Sequence, residues 1–517
     1  VGIRAAERRK VIRAEKVQNP DKSPVAFFNV STRLVGISQN AAFATLTSMA
    51  LQQSQVPVVH FGCQVGLSRC VLGTVVNGAE NEPPCETCFG QTMHLTANAP
   101  RHWFNYKEES ELLTEIEALS VAELAQVTFG AMPLGQICLP ALRWTLRRHH
   151  LLDDEATQEL FRHYILSSWS LAEQTRLFLH EIKPRAMVLF NGIMYPEATV
   201  RWVAESRGIP VIKHEVAHQP LSAYFSHGEV TAYPVEIPEA FELDDEQNTR
   251  LDEYLSKRFE GEFSMAGVAF WPEMQDLEPA MEAKIAAYSQ LVTIFTNVIF
   301  DTSQIHANVI FEHMFAWLEQ IQGLIESHPE TLFVIRAHPD ELRPNSRKQS
   351  KETVDAWVAA SGLLERDNVI YVNPLEYLSS YALIQQAKFV MAYNSTIGLE
   401  AALMGKVVLN GGKARYTQYP CVYLPESAEA HREQAETFLV AGDLALPAEF
   451  LRQARRFQYY QLWRTPLPFD EFMTASSPRG YVNLKQFPQA DVSPLRSKTM
   501  EVIVSGILHG KPFLMEE

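Results

Sequence analysis

No hydrophobic run in this chain is long enough to cross a bilayer. The longest, such as 291–300, have strand length and are broken by Thr and Asn, against the roughly 20 apolar residues a spanning helix needs. Cysteine is scarce, with 6 in 517 residues, which excludes a disulfide-built scaffold. Basic residues are outnumbered, 45 Lys and Arg against 61 Asp and Glu, for a net charge of −16. A general nucleic-acid binder carries the opposite balance, because it must neutralise phosphates. No G-x-G-x-x-G follows a strand-like run and no Walker sequence occurs, which sets aside dinucleotide dehydrogenases and P-loop ATPases. There is no internal repeat and no low-complexity tract. Residues 1–16 are locally basic (Arg4, Arg8, Arg9, Lys10, Arg13, Lys16) but lack the apolar stretch of a secretory signal, so the chain is read as cytoplasmic.

What is present is a globular composition, 46% hydrophobic, with enough length for two to four domains of roughly 100–200 residues. Strand-like and helix-like patterns alternate, which predicts an α/β chain with mainly parallel sheets. In the first half, Val25 to Phe28 and Val58 to Phe61 read as buried strands around a helix at 40–52. A helical stretch follows over 108–180, then a strand at 186–190, a helix from Glu197 and a strand at 209–212. A second start is clearer, with strands at 292–296, 332–336, 369–372, 388–392 and 407–409 separated by helices. The expected organisation is a first domain over 1–290 with a helical insertion, a second over 291–455, and a helical, aromatic segment over 456–517 packing back on the first.

Four of the six cysteines fall between positions 63 and 88: Cys63, Cys70, Cys85 and Cys88. A C-x2-C knuckle plus a second pair suits Zn²⁺ or an iron–sulfur cluster equally well, and four protein ligands would make the centre structural. A disulfide pair or unrelated buried thiols are the alternatives.

Parallel α/β sheets bind ligands beyond the carboxyl ends of their strands. Three such loops of the second half carry suitable chemistry. Asn297 follows the strand at 292–296. Arg336 and His338 lie in Arg-Ala-His-Pro-Asp-Glu, where a cation and an imidazole can meet a phosphate. Ser395 and Thr396 lie in Tyr-Asn-Ser-Thr-Ile-Gly-Leu-Glu, ahead of a helix start, with Gly398 and Glu400 one turn on. Together they predict a nucleotide-phosphate pocket. In the first half, His214 and Glu215 follow a strand directly, and Glu197 opens a helix.

The run 333–341 and the run 394–406 resemble bacterial capsule-polysaccharide biosynthesis transferases of the GT-B fold, as do Phe190-Asn-Gly192, Pro196-Glu197, His214-Glu215 and 411–416. The cysteine cluster looks like one seen in some members. The resemblance implies two Rossmann-like, doubly wound domains facing a cleft. It also implies a metal-independent glycosyltransferase that moves a sugar from a nucleotide-activated donor to a glycan or glycolipid, met at the inner membrane face. On it, His338, Ser395 and Thr396 hold the donor phosphate and Arg336 adds charge. Glu400 meets the ribose or sugar and Asn373 or Leu375 the base edge. Glu215, then His214, then Glu197 are the candidates for the base that a glycosyl transfer needs. A CDP-polyol phosphotransferase or nucleotide-sugar 2-epimerase on the same fold, or an assembly protein bearing a metal or iron–sulfur cluster, are the competing readings.

Overall fold

The computed structural model describes residues 23–30, 36–74, 80–261, 264–265, 268–269, 274–342, 349–477 and 480–516. The basic stretch at 1–16 lies outside them. The chain folds into two compact units. Unit 1 is Val1–Leu146, Leu151–Tyr233 and Leu462–Glu517, and unit 2 is Arg147–His150 and Pro234–Gln461.

Unit 1 is built on β1 (Val25–Asn29), β2 (Val58–Cys63), β3 (Arg101–Phe104), β4 (Ala186–Phe190), β5 (Val211–Val216) and β6 (Ser222–Ser226). The spatial order is β3-β2-β1-β4-β5, all parallel, extended by antiparallel β6 and the short strand Leu467–Pro468. Alternation along β1 feeds two cores. Val25 and Phe27 pack with Phe43 of α1 (Gln39–Gln53) on one face, while Ala26 and Phe28 pack with Phe61, Phe104 and Phe161 on the other. A strand covered on both faces reads as one continuous apolar run, which is why Val-Ala-Phe-Phe was legible. Between β3 and β4 lies the helical insertion, including α3 (Leu134–Leu146) and α4 (Glu155–Ile182); α2 (Cys85–Leu95) precedes β3. Asp154 caps α4, its carboxylate accepting the Thr157 N–H at 2.8 Å, and Lys183 in the left-handed region (φ 50°) ends it. After β4, α5 spans Tyr195–Glu205.

Unit 2 holds a five-stranded, wholly parallel sheet: β7 (Gln290–Phe295), β8 (Thr331–Arg336), β9 (Val369–Val372), β10 (Phe389–Ala392) and β11 (Val408–Asn410), in the order β9-β8-β7-β10-β11. The helices used below are α6 (Asp245–Phe259), α7 (Met314–Ser327), α8 (Val354–Ser361) and α9 (Ile397–Leu403). Both sheets therefore share one doubly wound pattern, with the winding reversing between β1 and β4 in unit 1 and between β7 and β10 in unit 2.

The expectation of an all-helical segment over 456–517 is corrected. Besides the helix Lys498–His509, it contains the hairpin Met473–Ser476 with Tyr481–Leu484, whose second strand pairs with Ile37–Ser38. Its strands are too short to show a period-two pattern. Among the described residues no helix is long and apolar enough to cross a membrane.

Phe28 sits at the middle of the unit 1 core, with ring centroids 5.8 Å from Phe61 and 6.0 Å from Phe104. Phe28→Ala is expected to cost about 3–5 kcal/mol, read as a lower urea midpoint; an unchanged midpoint would place this core outside the stability-determining part of the fold.

Candidate functional site

The loops leaving β7, β8 and β10 are tied together by side chains at the point where the unit 2 sheet reverses. Thr296, directly after β7, donates its hydroxyl to the Arg336 carbonyl (3.3 Å) and accepts the His338 N–H (3.2 Å). Asn297 donates its amide to Oδ1 of Asn394, after β10, at 2.6 Å. Gln304 reaches the same oxygen at 3.3 Å, and Asn394 Nδ2 donates to Ser303 Oγ at 3.3 Å. Asn394 was legible only as part of a motif; its position as the hub comes from the strand order.

His338 caps the short turn Pro339–Glu341. Its Nδ1 accepts the Asp340 N–H at 3.1 Å, so the neutral ring carries its proton on Nε2. Glu341 lies beneath this turn, fully buried, one carboxyl oxygen accepting the Val354 N–H at 2.8 Å. Burial pushes its pKa up to about 8, so it is protonated at neutral pH. Ser395 is buried and Thr396 is exposed at the head of α9, with no side-chain capping bond there.

Other expected residues are placed differently. Arg336 is 4% exposed, its guanidinium donating to the Asn373 carbonyl at 2.7 Å while Nε has no hydrogen-bond partner; burial lowers its pKa to about 10, which still leaves it charged at neutral pH. It braces the β9 loop from below. Asn373 spends its side chain inside that loop, on the Leu375 N–H (2.9 Å) and on Glu376. Glu400 is buried with both oxygens engaged, by Arg258 of α6 at 2.5 Å and by the Tyr381 hydroxyl at 2.6 Å. Burial and then the Glu400 charge hold the Tyr381 phenol well above its usual range. Glu400 is therefore a strut of the unit 2 core. Gly398 is required by Tyr416: a Cβ there would lie 2.2 Å from the Tyr416 hydroxyl, which donates to the Ser395 carbonyl at 2.9 Å.

In unit 1, Glu215 is half-buried at the carboxyl end of β5. Asn191, in the left-handed region (φ 55°) just past β4, donates its amide to one Glu215 oxygen at 2.8 Å, and the Val216 N–H donates to the other at 2.9 Å. His214 is its neighbour in sequence but points to the opposite face, as alternation in a strand demands. It is 1% exposed among Phe43, Phe190 and Phe225, and burial drives its pKa down to about 3. His214 is a core histidine, and its expected role as a base is corrected on that ground. Glu197, in the first turn of α5, is half-buried with its pKa raised to about 7 by burial.

The cysteine expectation is not carried by the structure. Cys63 ends β2, Cys70 precedes a short turn, and Cys85 and Cys88 lie in the first turn of α2. Among the described residues no three His, Cys, Asp or Glu side chains are arranged to hold a metal ion, and none of the six cysteines forms a disulfide. Cys63 accepts the Gly66 N–H at 3.2 Å, and burial pushes its pKa up to about 12, with the three neighbouring thiols adding to the rise.

Two parallel sheets with their polar loops at the carboxyl ends define an α/β protein of the doubly wound class. Residues 271–436, which is 166 of the 517, match the family described as capsule polysaccharide biosynthesis protein. The comparison with curated proteins gives no match. Among solved structures, the chain is similar to Thermosulfurimonas dismutans KpsC, beta Kdo 2,4 transferase, at 11% identity and a TM-score of 0.35, over 58% of this chain and 84% of that one. The beta Kdo 2,7 transferase of the same KpsC gives 16% and 0.32, over 63% and 90%. UDP-GlcNAc 2-epimerase from Neisseria meningitidis gives 13% and 0.24, over 85% and 99%. At identities and TM-scores this low, none of them carries an argument for this chain.

The buried acid under the His-Pro turn sets a pH dependence. A carboxyl whose pKa rises from 4.5 to about 8 on folding stabilises the fold fully below 4.5 and loses that contribution as pH climbs through about 8. Glu341→Gln should therefore flatten the decline of the melting temperature between those values; parallel declines in both proteins would show that Glu341 ionises without penalty.

Proposed function

We propose that this chain is a glycosyltransferase of surface-polysaccharide synthesis, moving a sugar from a nucleotide-activated donor to a glycan or glycolipid hydroxyl. The observation that carries the reading is the linked set of loops at the reversal of the unit 2 sheet: Asn297 bonded to Asn394, with His338 held by Thr296. Phosphates settle at this place in doubly wound folds, and the loops offer neutral hydrogen-bond donors to one. His338 Nε2–H and the hydroxyls of Ser395 and Thr396 take the donor phosphate. Arg336 supports them as a buried cation beneath the loop.

In the transfer, the acceptor oxygen bonds to the anomeric carbon as the bond from that carbon to the donor phosphate breaks. Glu215 takes the proton from the acceptor hydroxyl. Its orientation is fixed by Asn191 and the Val216 N–H, which hold both carboxylate oxygens at the half-exposed end of the strand. Glu197 is the second candidate, because burial poises it near neutrality. The departing nucleotide gains negative charge, which the proposal assigns to the unit 2 donors rather than to a metal.

Transfer from CMP- and UDP-linked sugars to a polysaccharide primer tests this. His338→Ala and the double variant Ser395→Ala/Thr396→Ala should each lower kcat by about 10²–10³-fold. Glu215→Gln should lower it by about 10²–10⁴-fold with donor KM unchanged. Full turnover in Glu215→Gln moves the base to Glu197, and full turnover in both unit 2 variants removes the donor assignment. Interconversion of a UDP-sugar with no acceptor present would replace transfer by epimerisation.

A further inference from the structure

Beside the donor loops, unit 2 contains a histidine cluster with no place in the scheme above. Residues 147–150 read Arg-Arg-His-His. The Lys351 N–H donates to the Arg147 carbonyl at 2.8 Å, and the Arg147 guanidinium lies 5.2 Å above the Phe300 ring. The backbone N–H groups of His149 and His150 both donate to one oxygen of Glu352, at 2.9 and 3.0 Å. The other oxygen of Glu352 meets Nδ1 of His150. Nε2 of His150 lies 3.2 Å from Nε2 of His313, and Nδ1 of His313 caps α7 by accepting the Ala316 N–H at 3.1 Å.

These contacts fix every proton. A carboxylate only accepts, so His150 carries its proton on Nδ1. The Ala316 N–H needs a lone pair, so His313 carries its proton on Nε2. His313 Nε2–H therefore donates to Nε2 of His150, and both rings are neutral. A further proton on His150 would set N–H against N–H. It can be accommodated only if His313 moves its own proton to Nδ1 and gives up the cap. Direct protonation of His313 breaks the same cap.

The cap matters because Met314, the first residue of α7, accepts the Asn297 N–H on its sulfur at 3.1 Å, and Asn297 is the residue bonded to Asn394. We infer that His313, His150 and Glu352 form a proton-sensitive positioning chain, which holds the start of α7 and with it Asn297 in place while both imidazoles are neutral, and releases it in acid. The groups facing His313 are His150 and His149 from the 147–150 segment, Glu352 ahead of α8, and Glu312 and Glu319 on its own loop and helix. Burial, followed by the neighbouring His150, lowers the His313 pKa below its ordinary 6.5. The capped form is thus favoured above that value and is lost as pH falls through the lowered one.

The structural part is independent of the donor assignment; its consequence for ligand binding rests on that assignment. The test compares the wild-type protein with His313→Asn, which keeps a good helix cap and cannot titrate. In ¹⁵N-histidine spectra near pH 8, His150 should show the uncommon Nδ1–H tautomer and His313 the Nε2–H tautomer. Amide exchange at 314–317, corrected for its intrinsic pH dependence, should accelerate in acid in the wild type only. CMP or UDP affinity should fall roughly fivefold, about the worth of one cap, as pH drops below the ordinary histidine value of 6.5 in the wild type, and stay level in His313→Asn. The inference is overturned by the opposite tautomers, by parallel behaviour of the two proteins, or by stoichiometric Zn²⁺ shifting both rings, which would make the cluster a metal site. Acid-dependent exchange with no nucleotide binding at any pH would uphold the chain and remove the donor reading instead.

Discussion

Every strand of the unit 2 sheet runs in the same direction, and this constraint gathers the polar chemistry at one edge. Parallel pairing of β7 with both β8 and β10 brings Thr296, His338 and Asn394 together although they are up to 98 residues apart in sequence. The connections wind one way through β8 and β9 and the other way through β10 and β11, so the loops after β7 and β10 diverge from the sheet. The Asn297–Asn394 bond closes the floor between them. Removing the Asn297 amide leaves Asn394 Oδ1 to Gln304 alone, and removing Asn394 takes the shared acceptor from both Asn297 and Gln304.

Much of this was legible in the sequence, for a physical reason. Strands covered on both faces are continuous apolar runs, so Ala186 to Phe190 and Leu332 to Ile335 could be read residue by residue. Half-exposed and short strands carry no such signature. Arg101–Phe104 and the hairpin near the C-terminus were missed for that reason. The loops after β7, β8 and β10 were found because doubly wound sheets put them at predictable places. Individual roles were harder. His214 and Glu215 are adjacent, and only strand phase decides that the first is in the core. Glu400 looked available one turn beyond Ser-Thr, but Arg258, 142 residues away in sequence, occupies it. The histidine chain was invisible because Arg-Arg-His-His reads as a solvated turn and both its partners are more than 160 residues distant.

The cysteines show the reverse failure. A knuckle and a second pair within 26 residues form a strong pattern, yet spacing fixes only which side chains could meet. Among the described residues these side chains are not arranged to hold a metal ion, although Cys63 ends a strand only a few residues from Cys70. Spacing in sequence says which side chains could converge, whereas the tertiary fold decides whether they do.

Four carboxyl groups finally show how environment divides one side-chain chemistry into separate roles. Glu400 is buried and paired with a cation, so it is structural. Glu341 is buried and has a single backbone donor, so it is held neutral and supports the His-Pro turn as an uncharged group. Glu352 meets two backbone N–H groups and an imidazole, and so sets the direction of the His150 ring. Glu215 alone combines partial exposure with an amide that fixes its direction. A base must be ionised, aligned and reachable at once. Of these four, Glu215 is the one the proposed transfer uses, aligned by Asn191 and half-exposed at the carboxyl end of its strand.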